Sequence, residues 1–313
     1  MRDELQAHVP SDEKVRGRRS AVRLGPRNEL SDPRGHRLST RPESQEERPA
    51  APTLPGLLVD PSWLREHLGH PHLRTVDLRD AAAHAGGHIP GAVQLDLSAL
   101  GSHVAGCDNV LLPPVEFSAL MARLGISHGD AVVAYDDQWG LAASRLVWAL
   151  HHYGHAAVAV LNGGWDRWRD EGGASVEGIE PVTPGRFETS PNADVHADFG
   201  WLVQRIDAGQ AVLLDTRTSS EFDRGHLPGA ISWDWFNAVP PDAWDASRDP
   251  AELRAEWGAL GLNPSDDVAV YCRSGMRAAH TYVVLRNAGF TRVRLYDGSW
   301  QEWAIKMEGG DGH

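Results

Sequence analysis

At 313 residues the chain has room for one large or two medium domains, and 41% hydrophobic residues are ample for a core. A formal net charge of −13 argues against nucleic acid as a partner, and no apolar run approaches the ~20 residues of a membrane helix. Two cysteines, Cys107 and Cys272, cannot form a disulfide framework; with no secretory apolar segment near the N-terminus, the expected location is the cytoplasm.

Residues 1–53 are polar, charged and rich in Arg, Glu, Ser and Pro, without periodicity. They carry too little apolar surface to offset ordering entropy, so a disordered tail is expected. Order is expected from Leu57, in a strand feeding a helix that starts at Pro61, a residue suited to a first helical turn. A strand over 73–78 follows, then the turn Gly87-His-Ile-Pro-Gly-Ala92, a helix over 114–124, a strand over 131–135, a helix over 142–152, a strand over 157–161 and a short helix over 164–170. Strands alternating with helices predict an α/β domain with a mainly parallel sheet.

The pattern then repeats. Val76-Asp-Leu-Arg79 returns as Leu214-Asp-Thr-Arg217, and Gly87-His-Ile-Pro-Gly-Ala92 as Gly225-His-Leu-Pro-Gly-Ala230. The strand ending at Tyr135 returns as the one ending at Tyr271, and Leu161-Asn-Gly-Gly-Trp165 as Tyr296-Asp-Gly-Ser-Trp300. A spacing of 135–138 residues is far too long for a solenoid and marks a duplicated domain. The expected division is a tail at 1–53, a first copy at 54–172, a linker at 173–194 and a second copy at 195–308.

The copies differ at one point of chemistry. After Tyr271 come Cys272, Arg273, Ser274, Gly275, Met276 and Arg277, and a helical pattern begins at Ala278. A cysteine in this place sits between the carboxyl end of a strand and a helix N-terminus, where inward amides and the helix dipole favour a negative charge. Two arginines add to that field, so the thiolate, the nucleophilic form, is favoured over the thiol. In the first copy Asp136 stands at the cysteine position, and an aspartate cannot carry a sulfur atom. Counting forward residue by residue sets Trp139 against Gly275 and Leu141 against Arg277, so the first copy is expected to be catalytically silent. The loop is C-x4-R; phosphate-ester chemistry uses a ring one residue longer, and the shorter ring suits something smaller, a terminal sulfur on the cysteine.

In these motifs the chain resembles the tandem-domain rhodaneses, sulfurtransferases in which an inactive N-terminal domain packs on an active C-terminal one. The resemblance covers residues 57–307. It implies an α/β fold of two tandem rhodanese-like domains, each a mainly parallel sheet flanked by helices. It also implies an enzyme that moves a sulfane sulfur from thiosulfate, or alternatively from 3-mercaptopyruvate, to a thiol or cyanide through a persulfide on Cys272. Two-step covalent transfer of this kind needs no metal or organic cofactor; the expected partners are a small-molecule sulfur donor and a thiol or cyanide acceptor, with no nucleic acid and no membrane, and a monomer or weak dimer is expected. A phosphatase or arsenate reductase on the same fold, and a non-catalytic binding module, are the competing readings.

The residues expected to meet the donor are Arg217, Arg273, Ser274, Gly275, Met276 and Arg277. In the family an arginine at the position of Arg217 contacts the donor anion; the alternative is an arginine paired with Asp215 or Glu221. Arg277 either attracts the donor or braces the loop through its carbonyls. Ser274 either donates to the donor or caps the turn. Gly275 serves the backbone conformation, and Met276 walls the loop. His226 occurs in a turn that the silent copy keeps as His88, which points to a structural role, and Cys107, outside any such loop, is expected to be inert.

Overall fold

The computed structural model describes residues 49–210 and 212–308. Most of the expected tail lies outside the described residues. Ala51 near the tail's end and Leu54 just after it pack against the first copy's core, so the packed chain begins before Leu57.

The first copy runs β1 (Leu58–Val59), α1 (Pro61–His67), β2 (Leu73–Asp77), α2 (Ala81–Gly86), β3 (Ala92–Gln94), β4 (Gly101–Val104), β5 (Cys107–Leu111), α3 (Pro114–Arg123), β6 (Ala131–Tyr135), α4 (Leu141–His152), β7 (Val158–Leu161) and α5 (Gly164–Asp170). The second runs β8 (His196–Ala197), α6 (Phe199–Ala208), β9 (Val212–Asp215), α7 (Ser219–Asp223), β10 (Ile231–Ser232), α8 (Pro250–Ala259), β11 (Asp267–Tyr271), α9 (Met276–Asn287), β12 (Arg292–Tyr296) and α10 (Ser299–Glu308). Helix starts follow local chemistry. Pro61, Pro114 and Pro250 open α1, α3 and α8, while Asp80 and Asp198 accept from Ala83 and Trp201 amides at the heads of α2 and α6.

Each copy builds one five-stranded parallel sheet, in the orders β1-β7-β6-β2-β3 and β8-β12-β11-β9-β10. Equivalent strands hold equivalent places, and Asp77↔Tyr135 in one register matches Asp215↔Tyr271 in the other. The central strands β6 and β11 are β-branched and buried on both faces, as parallel strands covered by helices must be. The first copy adds what sequence patterning did not show, an antiparallel hairpin of β4 and β5.

Helices α4 and α9 are buried nearly all round, so neither has the single apolar stripe of a surface helix. One continuous core contains Leu146, Val147 and Leu150 of α4 together with Tyr282, Val283 and Leu285 of α9. Truncating such a residue, Leu285→Ala for example, should cost about 2–5 kcal/mol. The two copies are therefore two sheets sharing one interior. The linker is likewise fastened: Val176 bridges to His88, Phe187 is buried, and the Asn192 amide donates to the His152 carbonyl at 2.7 Å.

Candidate active site

Parallel strands with helical crossovers put loop chemistry at the carboxyl ends of the strands. Cys272 follows β11 there, 1% exposed. Its carbonyl accepts from the Trp300 amide at 3.0 Å and that of Arg273 from Gln301 at 3.1 Å, so the loop is stitched to the start of α10. The Cys272 amide donates to Ser299 Oγ at 3.2 Å, and that hydroxyl donates to the Tyr296 carbonyl at 2.8 Å. Ser299 is fully buried and holds φ at 52°, where the silent copy has Gly164 at 53°. A left-handed serine at this point trades backbone ease for a fixed hydroxyl under the nucleophile.

Gly275, at φ 83°, turns the chain into α9. A Cβ there would lie 2.9 Å from Arg145 Nη1 and 3.2 Å from Asp297 Oδ1, so the position is closed to any side chain by conformation and by space. No cap side chain accepts from the amides that open α9, which leaves those donors and the helix dipole directed at whatever Cys272 carries.

The first copy shows what such a ring of amides holds. Asp136 Oδ1 accepts from the Gln138 and Gly140 amides at 2.8 and 2.9 Å, and Oδ2 accepts from Ala143 at 2.9 Å. Burial pushes this carboxyl up, and the amide donors pull it back in part. The register expected from sequence is corrected here. Three residues, 137–139, separate Asp136 from the turn glycine Gly140, whereas two, 273–274, separate Cys272 from Gly275. Gly140, not Trp139, stands opposite Gly275, and Ala142, not Leu141, stands opposite Arg277. Trp139 is the extra residue, at φ 54°, with its ring set edge-on to Phe236 at 5.6 Å.

Around Cys272 the expected residues fall into different places. Arg273 is exposed, and its charge acts on Asp108 of the first copy's hairpin. Ser274 Oγ accepts from Asn109 Nδ2 at 3.2 Å, and Met276 is half-buried at the head of α9. Arg277 forms a two-pronged pair with Glu221, Nη1 to Oε2 at 2.7 Å and Nη2 to Oε1 at 2.9 Å. Burial opposes the charge on Arg277, but Glu221 and the neighbouring Cys272 sulfur outweigh it and raise its pKa. Hydrogen bonding from Arg277 holds Glu221 down at about 2. Glu221 also closes a capping box with Thr218 at the head of α7.

Arg217 is held by its own copy. It is 3% exposed, and its Nε and Nη2 are taken by Asp215 at 3.0 and 2.6 Å and by the Gly225 carbonyl at 2.7 Å. Its guanidinium lies 4.7 Å over the Trp300 ring. Arg79 of the first copy repeats every contact, with Asp77, the Gly87 carbonyl and Trp165. An arrangement present in both copies fastens the turn in each. His226 and His88 likewise match, each stacked on the residue four before it and bonded to that residue's carbonyl. Cys107 faces an apolar cavity of about 260 Å³ with Tyr296 and Ile305, and burial, then Glu302, pushes its thiol up.

Ser299, Asn109, Arg145 and Asp297 were not singled out from sequence, and Glu221, raised there as a partner of Arg217, pairs with Arg277. Only Ser299 carried a local signal, the change from Gly-Gly-Trp to Gly-Ser-Trp between copies; the others depend on pairings across 36 to 186 residues.

A family model described as a rhodanese-like domain matches residues 60–171 and again 198–306. A thiosulfate sulfurtransferase of Corynebacterium glutamicum is 36% identical over 274 residues, covering 80% of this chain and 88% of its own. A sulfur carrier protein, TtuD, of Thermus thermophilus is 33% identical over 272 residues, covering 80% and 94%. The crystal structure of the 3-mercaptopyruvate sulfurtransferase SseA from Escherichia coli superposes with a TM-score of 0.72 at 28% identity, over 78% of this chain and 99% of that one. With two such domains on parallel sheets, and relatives of this kind along most of its length, the chain belongs to the tandem-domain rhodanese family of sulfurtransferases.

Proposed function

We propose that the protein moves the outer sulfur of thiosulfate to a thiol or cyanide, with Cys272 as the carrier. The observation that carries the reading is the contrast between the two loops: the uncapped amides at the head of α9 and Arg277 surround a thiol in one copy, while Asp136 fills the equivalent amides in the other. The Cys272 thiolate attacks the outer sulfur of thiosulfate, the S–S bond breaks with its electron pair, and sulfite leaves. Cys272 then bears a terminal persulfide anion. A thiolate or cyanide attacks the outer sulfur, and the thiolate of Cys272 is restored. The loop amides stabilise the anion through both halves, which is the largest electrostatic contribution available.

Arg273, exposed at the loop, collects the anionic donor; Arg277, anchored by Glu221, lies beside the sulfur. Ser274, Gly275 and Met276 shape the seat. A charged Arg273 and the short stretch 218–224 favour thiosulfate over 3-mercaptopyruvate as donor. The partners are then small molecules, and two unpaired cysteines suit a reducing cytoplasm. Turnover on thiosulfate and on 3-mercaptopyruvate, each with cyanide as acceptor, tests the donor. A higher kcat/KM on 3-mercaptopyruvate reverses the assignment. Absence of one added sulfur in the intact mass after either donor ends it.

A further inference from the structure

The far end of α9, where the chain turns back into β12, carries charge that its counterpart lacks. The strand registers Ala269↔Arg294 and Val133↔Ala159 set Arg292 and Arg294 against Ala157 and Ala159 of the first copy. The left-handed glycines that follow α9 and α4, Gly289 and Gly154, set Arg286 against His151. The first copy builds the same turn and strand with alanines, so the sheet does not require the arginines.

Arg286, Arg292 and Arg294 line one cleft of about 460 Å³ between the copies. The exposed Asp194 and the buried Tyr282 and His151, bonded to each other at 2.9 Å, line it too. Charge is not balanced there. Arg294 pairs with Asp267 at 3.1 Å and with Asp194 at 3.6 Å. Arg286 and Arg292 have no carboxylate partner among the described residues; each donates to a carbonyl, Thr291 and Ser265 respectively. The negative end of the α9 dipole offsets part of the charge on Arg286, which stands in the last turn, but Arg292 lies beyond the helix. Burial, and then the charge of Arg286, holds His151 down.

The chain as a whole has 43 acidic residues against 30 Lys and Arg, so two arginines left without carboxylates in one cleft do not follow from composition. Like charges held together repel, and the guanidinium fork matches an oxyanion two-pronged. We propose that this cleft binds a doubly charged oxyanion of the sulfate or phosphate class, held by Arg286 and Arg292 where the two copies meet. From Met276 to Arg286 the helix rises about 15 Å, so the site is separate from the Cys272 loop. The cleft has room beyond one oxyanion, and the same chemistry takes a free ion or the phosphate end of a larger molecule.

Thermal melts and titration calorimetry of the full chain test it, with sulfate, inorganic phosphate or phenyl phosphate compared against sodium chloride of equal ionic strength. An anion that fits should raise Tm by about 4 °C at about 10 mM, saturably, with a Kd below about 1 mM. A response to the inorganic ions identifies the free form, and a response to phenyl phosphate alone the end group of a larger molecule; either supports the site. Arg292→Gln, at an exposed position, should weaken binding about ten-fold, and combining it with Arg286→Gln should abolish the rise. Arg273→Gln, at the sulfur loop, should leave the rise intact. No saturable response to any of the three anions overturns the proposal, as does a wild-type rise in the double variant. Loss of the rise in Arg273→Gln overturns it as well, because the anion then sits at the sulfur loop. Should the double variant not fold, an unchanged Kd in Arg292→Gln alone is enough to reject the site.

Discussion

The loops after β6 and β11 begin from the same strand register and end at the same kind of left-handed glycine, yet one is occupied by its own chain and the other is not. In the first copy the carboxylate of Asp136 takes up the amides at the head of α4. In the second a thiol sits at that point, with Arg277 beside it. The difference teaches how one fold can fill a seat for an anion from its own chain or leave it open. One residue of added length displaces the arginine position, and one carboxylate supplies internally the anion that the other loop takes from outside. Everything around it, from the Asp-x-Arg clasp to the stacked histidine, stays in both copies because it holds the turn.

The largest effect expected is from Cys272→Ser, which should abolish sulfur transfer on every donor while the melting curve stays close to wild type. More than a trace of turnover would mean that the loop comparison names the wrong nucleophile. Next comes the attempt to revive the silent loop. Asp136→Cys combined with Cys272→Ser should gain no sulfur in the intact mass, since Ala142 replaces the arginine, Asp137 places a negative charge next to the thiol, and Trp139 lengthens the ring. A stoichiometric adduct with turnover would show that only the nucleophile was missing.

The shared interior should make the whole molecule acid-sensitive. Burial holds His151 and His280 down at about 4, and His151 also feels the charges of Arg286 and His155. His151 meets Tyr282 of the other copy at 2.9 Å, and His280 meets the Ala246 carbonyl at 2.8 Å. Their folded pKa lies below the unfolded value near 6.5, so the unfolded chain binds more protons between the two. Stability is complete above about pH 6.5 and is lost as pH falls toward about 4, ahead of the loss from Glu221 at still lower pH. Thermal melts should show Tm falling by about 5 °C or more between pH 7 and pH 5. A flat profile there would remove the histidines from the account. In His280→Asn the pH 7-to-5 drop should shrink.

A smaller effect is expected at Glu221. Glu221→Gln keeps the α7 capping box but removes the charge that neutralises Arg277. The freed cation should lower the Cys272 alkylation midpoint by about half a unit, and added salt should erase most of that change. A midpoint that rises instead would mean that the pair matters for holding Arg277 still. The smallest effect belongs to Cys107→Ser, which should leave turnover within two-fold of wild type by steady-state assay; a large loss would bring a second thiol into the chemistry.

Much of this was legible before the fold was known. The duplication showed as four ordered motif pairs, and the strands β6 and β7 and the helix α5 stand at or within one residue of their expected limits. The cysteine loop announced itself by composition. The pairing of Arg217 with Asp215, the alternative raised from sequence, has the same form as Asp77-Leu-Arg79 in the first copy. What could not be read was pairing at a distance. Nothing near Glu221 names Arg277, and nothing near Asn109 names Ser274, because a short polar side chain has the same local appearance whether it meets water or another domain. The loop register failed for a related reason. Residue counting assumes equal lengths, and only the two left-handed glycines, Gly140 and Gly275, reveal which copy carries the insertion.

The arms of the two copies cross over. The stretch 101–111 of the first lies on the Cys272 loop, and 239–249 of the second lies on the first, where the Ala246 amide meets Asn162 and Asp245 meets Arg167. Such an exchange binds inheritance to architecture. Neither half can be discarded, because its twin would be left with an apolar helix facing water and one wall of its loop gone. Each half keeps its shape in the service of the other, and substitutions far from any sulfur, at Arg145 or Asn162, fall on the molecule as a whole.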